Sequence, residues 1–152
     1  SPGNAHLLLS RALVAERQNQ MDQFEADVRE VLRTEPNNAS ALNALGYTLL
    51  ERTDRIDEAE ASILRAYALK PNDPAILDSL GWLNFKRGKT DEALQYLRQA
   101  YKMFPDDEIA AHLGEVLWVS GQRDEARRLW RDALRMHPKS EHLPRTRLRL
   151  DP

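Results

Sequence analysis

With 152 residues, 41% of them hydrophobic and 30% charged, the chain is long enough for a sizeable buried core and too apolar for disorder over most of its length. A formal net charge of −2 excludes a global field steering it toward nucleic acid or an anionic membrane. The absence of cysteine excludes disulfides and thiolate metal sites, and no apolar run approaches the roughly 20 residues of a membrane span.

The opening Ser1-Pro2-Gly3 has no Met and no signal-like stretch, which reads as the end of an excised piece. Next comes a degenerate helix pair over 5–38, with the apolar run LLLSRALVA. Three self-similar segments follow, starting at Ala41, Ala75 and Ile109. Gly46, Gly81 and Gly114 are spaced by 35 and 33; Ala59, Ala93 and Ala126 by 34 and 33, as are Ala66, Ala100 and Ala133. Pro36, Pro71, Pro105 and Pro138 step by 35, 34 and 33. The irregularities are local: one extra residue in the turn TDRID, and one residue missing between Pro105 and Gly114. Both fall between helices, so helix register is kept.

These positions resemble the tetratricopeptide repeat family, whose 34-residue unit carries Leu-Gly, a small Ala, another Ala seven residues on, and a closing Pro. Here they are Leu45-Gly46, Ala59, Ala66 and Pro71; Leu80-Gly81, Ala93, Ala100 and Pro105; Leu113-Gly114, Ala126, Ala133 and Pro138. In the degenerate unit Ala12, Phe24, Val31 and Pro36 stand at the matching places. The resemblance implies an all-α, right-handed α-solenoid over residues 4–138, with units 5–38, 39–73, 74–106 and 107–140.

Each helix of about 13–15 residues is too short to be stable alone, so stacking must stabilise it. Gly and Ala at the matched positions allow close helix approach, and Ile63, Leu97 and Trp130 are expected to fill the space between successive units. Gly88 and Gly121 sit where a first helix must stop, Asp73-Pro74 reads as an N-cap followed by proline, and Asp57-Glu58, Asp91-Glu92 and Asp124-Glu125 open second helices. Residues 139–152 start no further full repeat; Leu143, Leu148 and Leu150 either form a short cap on the last pair or belong to a frayed tail with Pro144 and RTRLRL.

Charge is uneven along the array. Residues 1–120 hold 13 Lys/Arg and 19 Asp/Glu, a net of −6, whereas 121–152 hold 9 and 5, a net of +4. The basic end reads as a solvated face or as a contact for an acidic partner.

In the resembling family first helices line the concave surface. Transferred by position, that surface takes Asn43, Tyr47, Leu50 and Glu51; then Asp78, Trp82, Phe85 and Lys86; then Ala111, Glu115, Trp118 and Val119, with His112 at the edge. The i, i+4, i+7 spacing places each set on one helix face without reference to the family. Tyr47, Trp82, Phe85 and Trp118 thus lie outside the Leu/Gly/Ala packing pattern, as peptide anchors or packed against each other and neighbouring helices. On the anchor reading, alanine at both Trp82 and Trp118 weakens partner capture and leaves thermal unfolding nearly unchanged. A clamp for an acidic C-terminal carboxylate would need Lys, Arg and Asn where the chain has Asn43, Ala75, Asp78, Ser79 and Ala111, with Lys86 the one clear cation. The expected ligand is instead an apolar or helical segment of a protein partner.

Glu108, His112 and Glu115 share one helix face, but no second ligand set is spaced to complete a metal site, and no phosphate loop, nucleophile elbow or H-E-x-x-H occurs. Neither catalysis nor a cofactor is expected. Leu77–Trp82, Glu108–Trp118 and Leu129-Trp130 also resemble the C-terminal end of long tetratricopeptide proteins of Gram-negative bacteria, several of them lipoproteins facing the periplasm. That resemblance implies an adaptor of a carboxyl-terminal processing protease. The alternative is a structural end segment of a longer solenoid that self-associates or packs on its own upstream repeats.

Overall fold

The computed structural model describes residues 2–152; Ser1, part of the opening read as an excised end, lies outside them. Among the described residues there are nine α-helices and no strand. They are α1 (Pro2–Arg17), α2 (Met21–Thr34), α3 (Ala39–Arg52), α4 (Ile56–Leu69), α5 (Pro74–Lys86), α6 (Thr90–Met103), α7 (Asp107–Val119), α8 (Arg123–Met136) and α9 (His142–Leu150). The fold is all-α, built from helix pairs of the tetratricopeptide type. Two compact units divide it, Ser1–Pro71 with α1 to α4 and Asn72–Pro152 with α5 to α9.

The alanine and glycine spacings are packing positions. Ala59, Ala66, Ala93, Ala100, Ala126 and Ala133 have no exposed surface, nor do Ala12, Phe24 and Val31 at the equivalent places of the first pair. A Cβ on Gly46 would sit 2.6 Å from Ile63 Cγ1, and one on Gly81 would sit 2.7 Å from Leu97 Cγ. At Gly114 it would overlap the Trp130 indole. Ile63, Leu97 and Trp130 therefore fill a notch in the first helix of their own pair. That corrects the expectation that they fill space between successive units: the missing side chain is on the partner helix, where the large one must go.

Helix ends follow from local chemistry. Asp73 Oδ1 accepts from the backbone N–H of Ala75 at 2.9 Å and of Ile76 at 3.3 Å, with Pro74 at the first helical position. Asn38 and Asp106 cap α3 and α7 in the same way. Gly88 and Gly121 have φ of 82° and 90°, and Asn19 takes their place in the α1–α2 turn at 63°. In all three turns the next residue donates back five positions, Gln20 to Ala15, Lys89 to Asn84 and Gln122 to Leu117. The α3–α4 turn has no such residue. There the Thr53 hydroxyl donates to Leu49 O at 2.6 Å, and the extra residue is absorbed without a left-handed position.

In the first unit, Arg11 donates to both carboxylate oxygens of the buried Asp27, at 2.8 and 2.6 Å. Nearby, Arg55 and Arg29 converge on Glu25, each at 2.8 Å, and hold its carboxyl at about 2, well below the ordinary range. In the second unit α9 packs on α7 and α8. Leu143 is buried and Leu150 half-buried, whereas Leu148 is 70% exposed and covers nothing.

Candidate protein-binding face

In the second unit the first helices α5 and α7 touch, and α9 lies against α7. On α5, Asp78, Trp82, Phe85 and Lys86 occupy one face by helical spacing. Asp78 and Trp82 are buried, Phe85 is half-buried and Lys86 is exposed. From α7, His112 Nδ1 lies 2.9 Å from Asp78 Oδ1, with both side chains buried. The His112 ring stacks on Trp82 at 4.2 Å between centroids and 23° between planes. Phe85 lies 5.2 Å from Trp82 on the same helix, and the Lys86 ammonium sits 5.5 Å from the Trp82 centroid.

The result is a closed stack running from the Asp78 carboxylate through His112 and Trp82 to Phe85. A buried ion-pair or hydrogen-bond partner on each polar member makes such a cluster stiff, because releasing either leaves an unpaired group in a low-dielectric site. His112 is central here, not at the edge. The signal available in the sequence was its separation of 34 from Asp78, one repeat length.

Trp118 behaves differently. It is 8% exposed and is enclosed by its own pair's second helix: it stacks on Trp130 at 5.7 Å, with the guanidinium groups of Arg123 and Arg127 at 4.6 and 5.0 Å from its centroid. Of the two readings open for Trp82 and Trp118, the structure shows the packed one, and the exposed-anchor reading does not fit their burial. Both rings are packed, because a large flat side chain between two touching helices buries more area than one left in solvent. Sequence reasoning counted Arg123 and Arg127 only within the basic 121–152 stretch and did not place them on Trp118.

Beside Trp118 on α7, Glu115 is half-buried and accepts from Arg149 of α9, which extends the face onto α9. Val119, one residue beyond Trp118, is 58% exposed. The accessible part of the face is therefore Phe85 and Lys86, over a floor of Trp82 and His112, with Val119 exposed at the end of α7. Of the trio Glu108, His112 and Glu115, His112 is turned to Asp78 and Glu115 to Arg149; among the described residues no three such side chains gather as ligands.

The first unit carries the remaining predicted residues on α3. Leu50 is buried, and Asn43 and Tyr47 are half-buried. Asn43 Oδ1 is buried without a hydrogen-bond partner. Among the described residues no helix is long and apolar enough to cross a membrane.

Two family models, each described as tetratricopeptide repeat, match residues 9–74 and 84–143, together well over half the chain. A TPR repeat-containing protein of Pseudomonas aeruginosa is 52% identical over 114 residues, covering 75% of this chain and 19% of the relative's length. This chain thus spans about a fifth of that protein. Among solved structures, the Thermobaculum terrenum O-GlcNAc transferase superposes with a TM-score of 0.79 at 25% identity, over 89% of this chain and 26% of the transferase. The APC/C hetero-tetramer Cut9–Hcn1 gives 0.81 at 17% identity, over 95% of this chain and 30% of that one, and bears on the fold alone.

Proposed function

The chain belongs to the tetratricopeptide repeat family, and from that premise we propose that it is a non-catalytic interaction scaffold holding a protein segment on the α5–α7 face. The observation that carries the reading is the stack of Asp78, His112, Trp82 and Phe85, with the exposed Lys86 beside Trp82. A floor fixed before binding loses little conformational entropy when a partner docks, so more of the contact energy goes into affinity. The exposed groups are mixed, one cation with apolar neighbours, which suits an apolar or helical segment. Asn43 and Tyr47, half-buried on α3, are proposed as a second contact set in the first unit, with the buried Leu50 packed inside and not a contact.

At a finer level, the scaffold serves as adaptor to a carboxyl-terminal processing protease, within a longer lipoprotein facing the periplasm. Support comes from the resemblance of Leu77–Trp82, Glu108–Trp118 and Leu129-Trp130 to that group, and, for the longer chain alone, from the Pseudomonas aeruginosa relative of which 19% is covered. Biolayer interferometry of the chain against such a protease, purified from a Gram-negative host, tests it. Lys86→Glu and Val119→Lys change exposed groups, so folding is retained while affinity falls. Unchanged binding by both variants removes the face from the reading, and no binding by the unaltered chain removes the protease.

A further inference from the structure

The second helices of the second unit, α6 and α8, leave a cleft between them with a volume of about 340 Å³. Its floor is Leu113 and Leu117 of α7, on a different side of that helix from His112 and Glu115. Tyr101 of α6 and Leu129 of α8, both half-buried, form apolar walls. Burial, and secondarily Asp132 nearby, raise the Tyr101 phenol above its ordinary pKa, so it adds no negative charge.

The rim is cationic. Arg98 is closed onto Glu125 at 2.8 Å, which neutralises one end. Lys102 on α6 and Arg128 on α8 are exposed, face the cleft from opposite walls, and make no ion pair among the described residues. Asp132, whose charge acts on Tyr101, pairs with Arg131 at 3.5 Å.

We propose that this cleft is a second docking site, for an acidic protein segment that seats one large apolar side chain on Leu113 and Leu117 and sets carboxylates against Lys102 and Arg128. The volume lies at the small end of ligand sites, room for one bulky side chain and little more. Two separate cations on opposite walls call for negative charge on both sides of that anchor. A peptide with carboxylates flanking an apolar residue supplies this, whereas a single-headed anionic amphiphile satisfies one wall only. Rim charges act through attraction and on-rate, so the interaction weakens with salt.

Fluorescence anisotropy with a labelled, end-capped peptide Asp-Glu-Leu-Phe-Glu-Asp tests the site on the whole chain. Saturable binding is expected, with a loss of about tenfold for each of Lys102→Glu and Arg128→Glu, as for other close charge pairs. Lys86→Glu, on the other face, leaves the affinity unchanged. Melting temperatures of the three variants stay at the parent value, because each changes an exposed side chain. Absence of saturable binding, equal binding of the Asn/Gln form of the peptide, or indifference to both charge reversals overturns the proposal. So does a loss caused by Lys86→Glu, which places the peptide on the α5–α7 face. Tighter binding of laurate, competing with the peptide, reassigns the cleft to an amphiphile.

Discussion

Replacing Trp82 or Trp118 by alanine separates a packed ring from an exposed anchor. Trp82 is 5% exposed, stacked on His112 at 4.2 Å and in contact with Phe85; Trp118 is 8% exposed and stacked on Trp130. A buried aromatic covers about 150–250 Å², which at about 25 cal/mol per Å² contributes about 4–6 kcal/mol. Measured truncations of this kind cost about 3–5 kcal/mol each. For two independent sites that sums to about 6–10 kcal/mol, against a total of about 5–15 for a natural domain. With a urea slope of about 2 kcal/mol/M, each single variant lowers the unfolding midpoint by about 1.5–2.5 M, and the double variant loses the second unit's helices in buffer. Far-UV circular dichroism is the assay, since each substitution removes one of the three tryptophans and changes the fluorescence signal itself. A midpoint within about 0.3 M of the parent for both single variants, under a quarter of the expected energy at that slope, would refute the packing argument. It would restore the expectation that these rings are presented to a partner.

Glu25 gives an acid-sensitive element in the first unit. Its folded pKa is depressed to about 2 by Arg55 and Arg29, so its contribution is fully present above the unfolded carboxylate range and is lost as pH falls from about 4.5 toward 2. Glu25→Gln should therefore flatten the stability–pH profile of the chain in that window and leave the profile above pH 6 parallel to the parent; an unaltered acid limb rejects the assignment. The α7–α8 turn yields an ordering: Gly121 has φ of 90°, and a Cβ placed on it would meet nothing within 4 Å, so Gly121→Ala costs about 1–2 kcal/mol from backbone conformation alone. Gly121→Asn should cost less, as Asn19 already adopts 63° in the α1–α2 turn, and equal melting temperatures for the two variants would contradict this.

How much was legible in the sequence depended on whether a residue's role is local or relational. Gly88, Gly121 and Asp73 were readable because a left-handed turn or an N-cap is decided within five or six residues. The alanine and glycine spacings were readable because they repeat, and repetition marks the helix–helix contact without saying which helix is the neighbour. That gap produced the error over Ile63, Leu97 and Trp130: spacing identified a large residue opposite a small one, and the structure puts both in the same pair. Asn19 was passed over since it lies in the degenerate unit, where the pattern that draws attention to Gly88 is diluted.

The face residues were placed on the correct helices, but their exposure was not legible, and the reason is physical. A tryptophan at a first-helix position has two apolar destinations, solvent-facing partner or neighbouring helix, and periodicity is identical for both. What decides between them is the identity of groups on the neighbouring helix, His112 for Trp82 and the arginines of α8 for Trp118. Each ring went to the side offering a polarisable or cationic companion, where stacking adds to area burial. The same rule assigns the surviving exposed groups. Lys86 sets its ammonium 5.5 Å from the Trp82 centroid, and Lys102 and Arg128 line a cleft floored by leucines with no carboxylate paired to them among the described residues. Under both proposals, binding rests on cations held beside buried apolar floors, Lys86 beside Trp82 on the α5–α7 face and Lys102 with Arg128 beside Leu113 and Leu117 in the cleft.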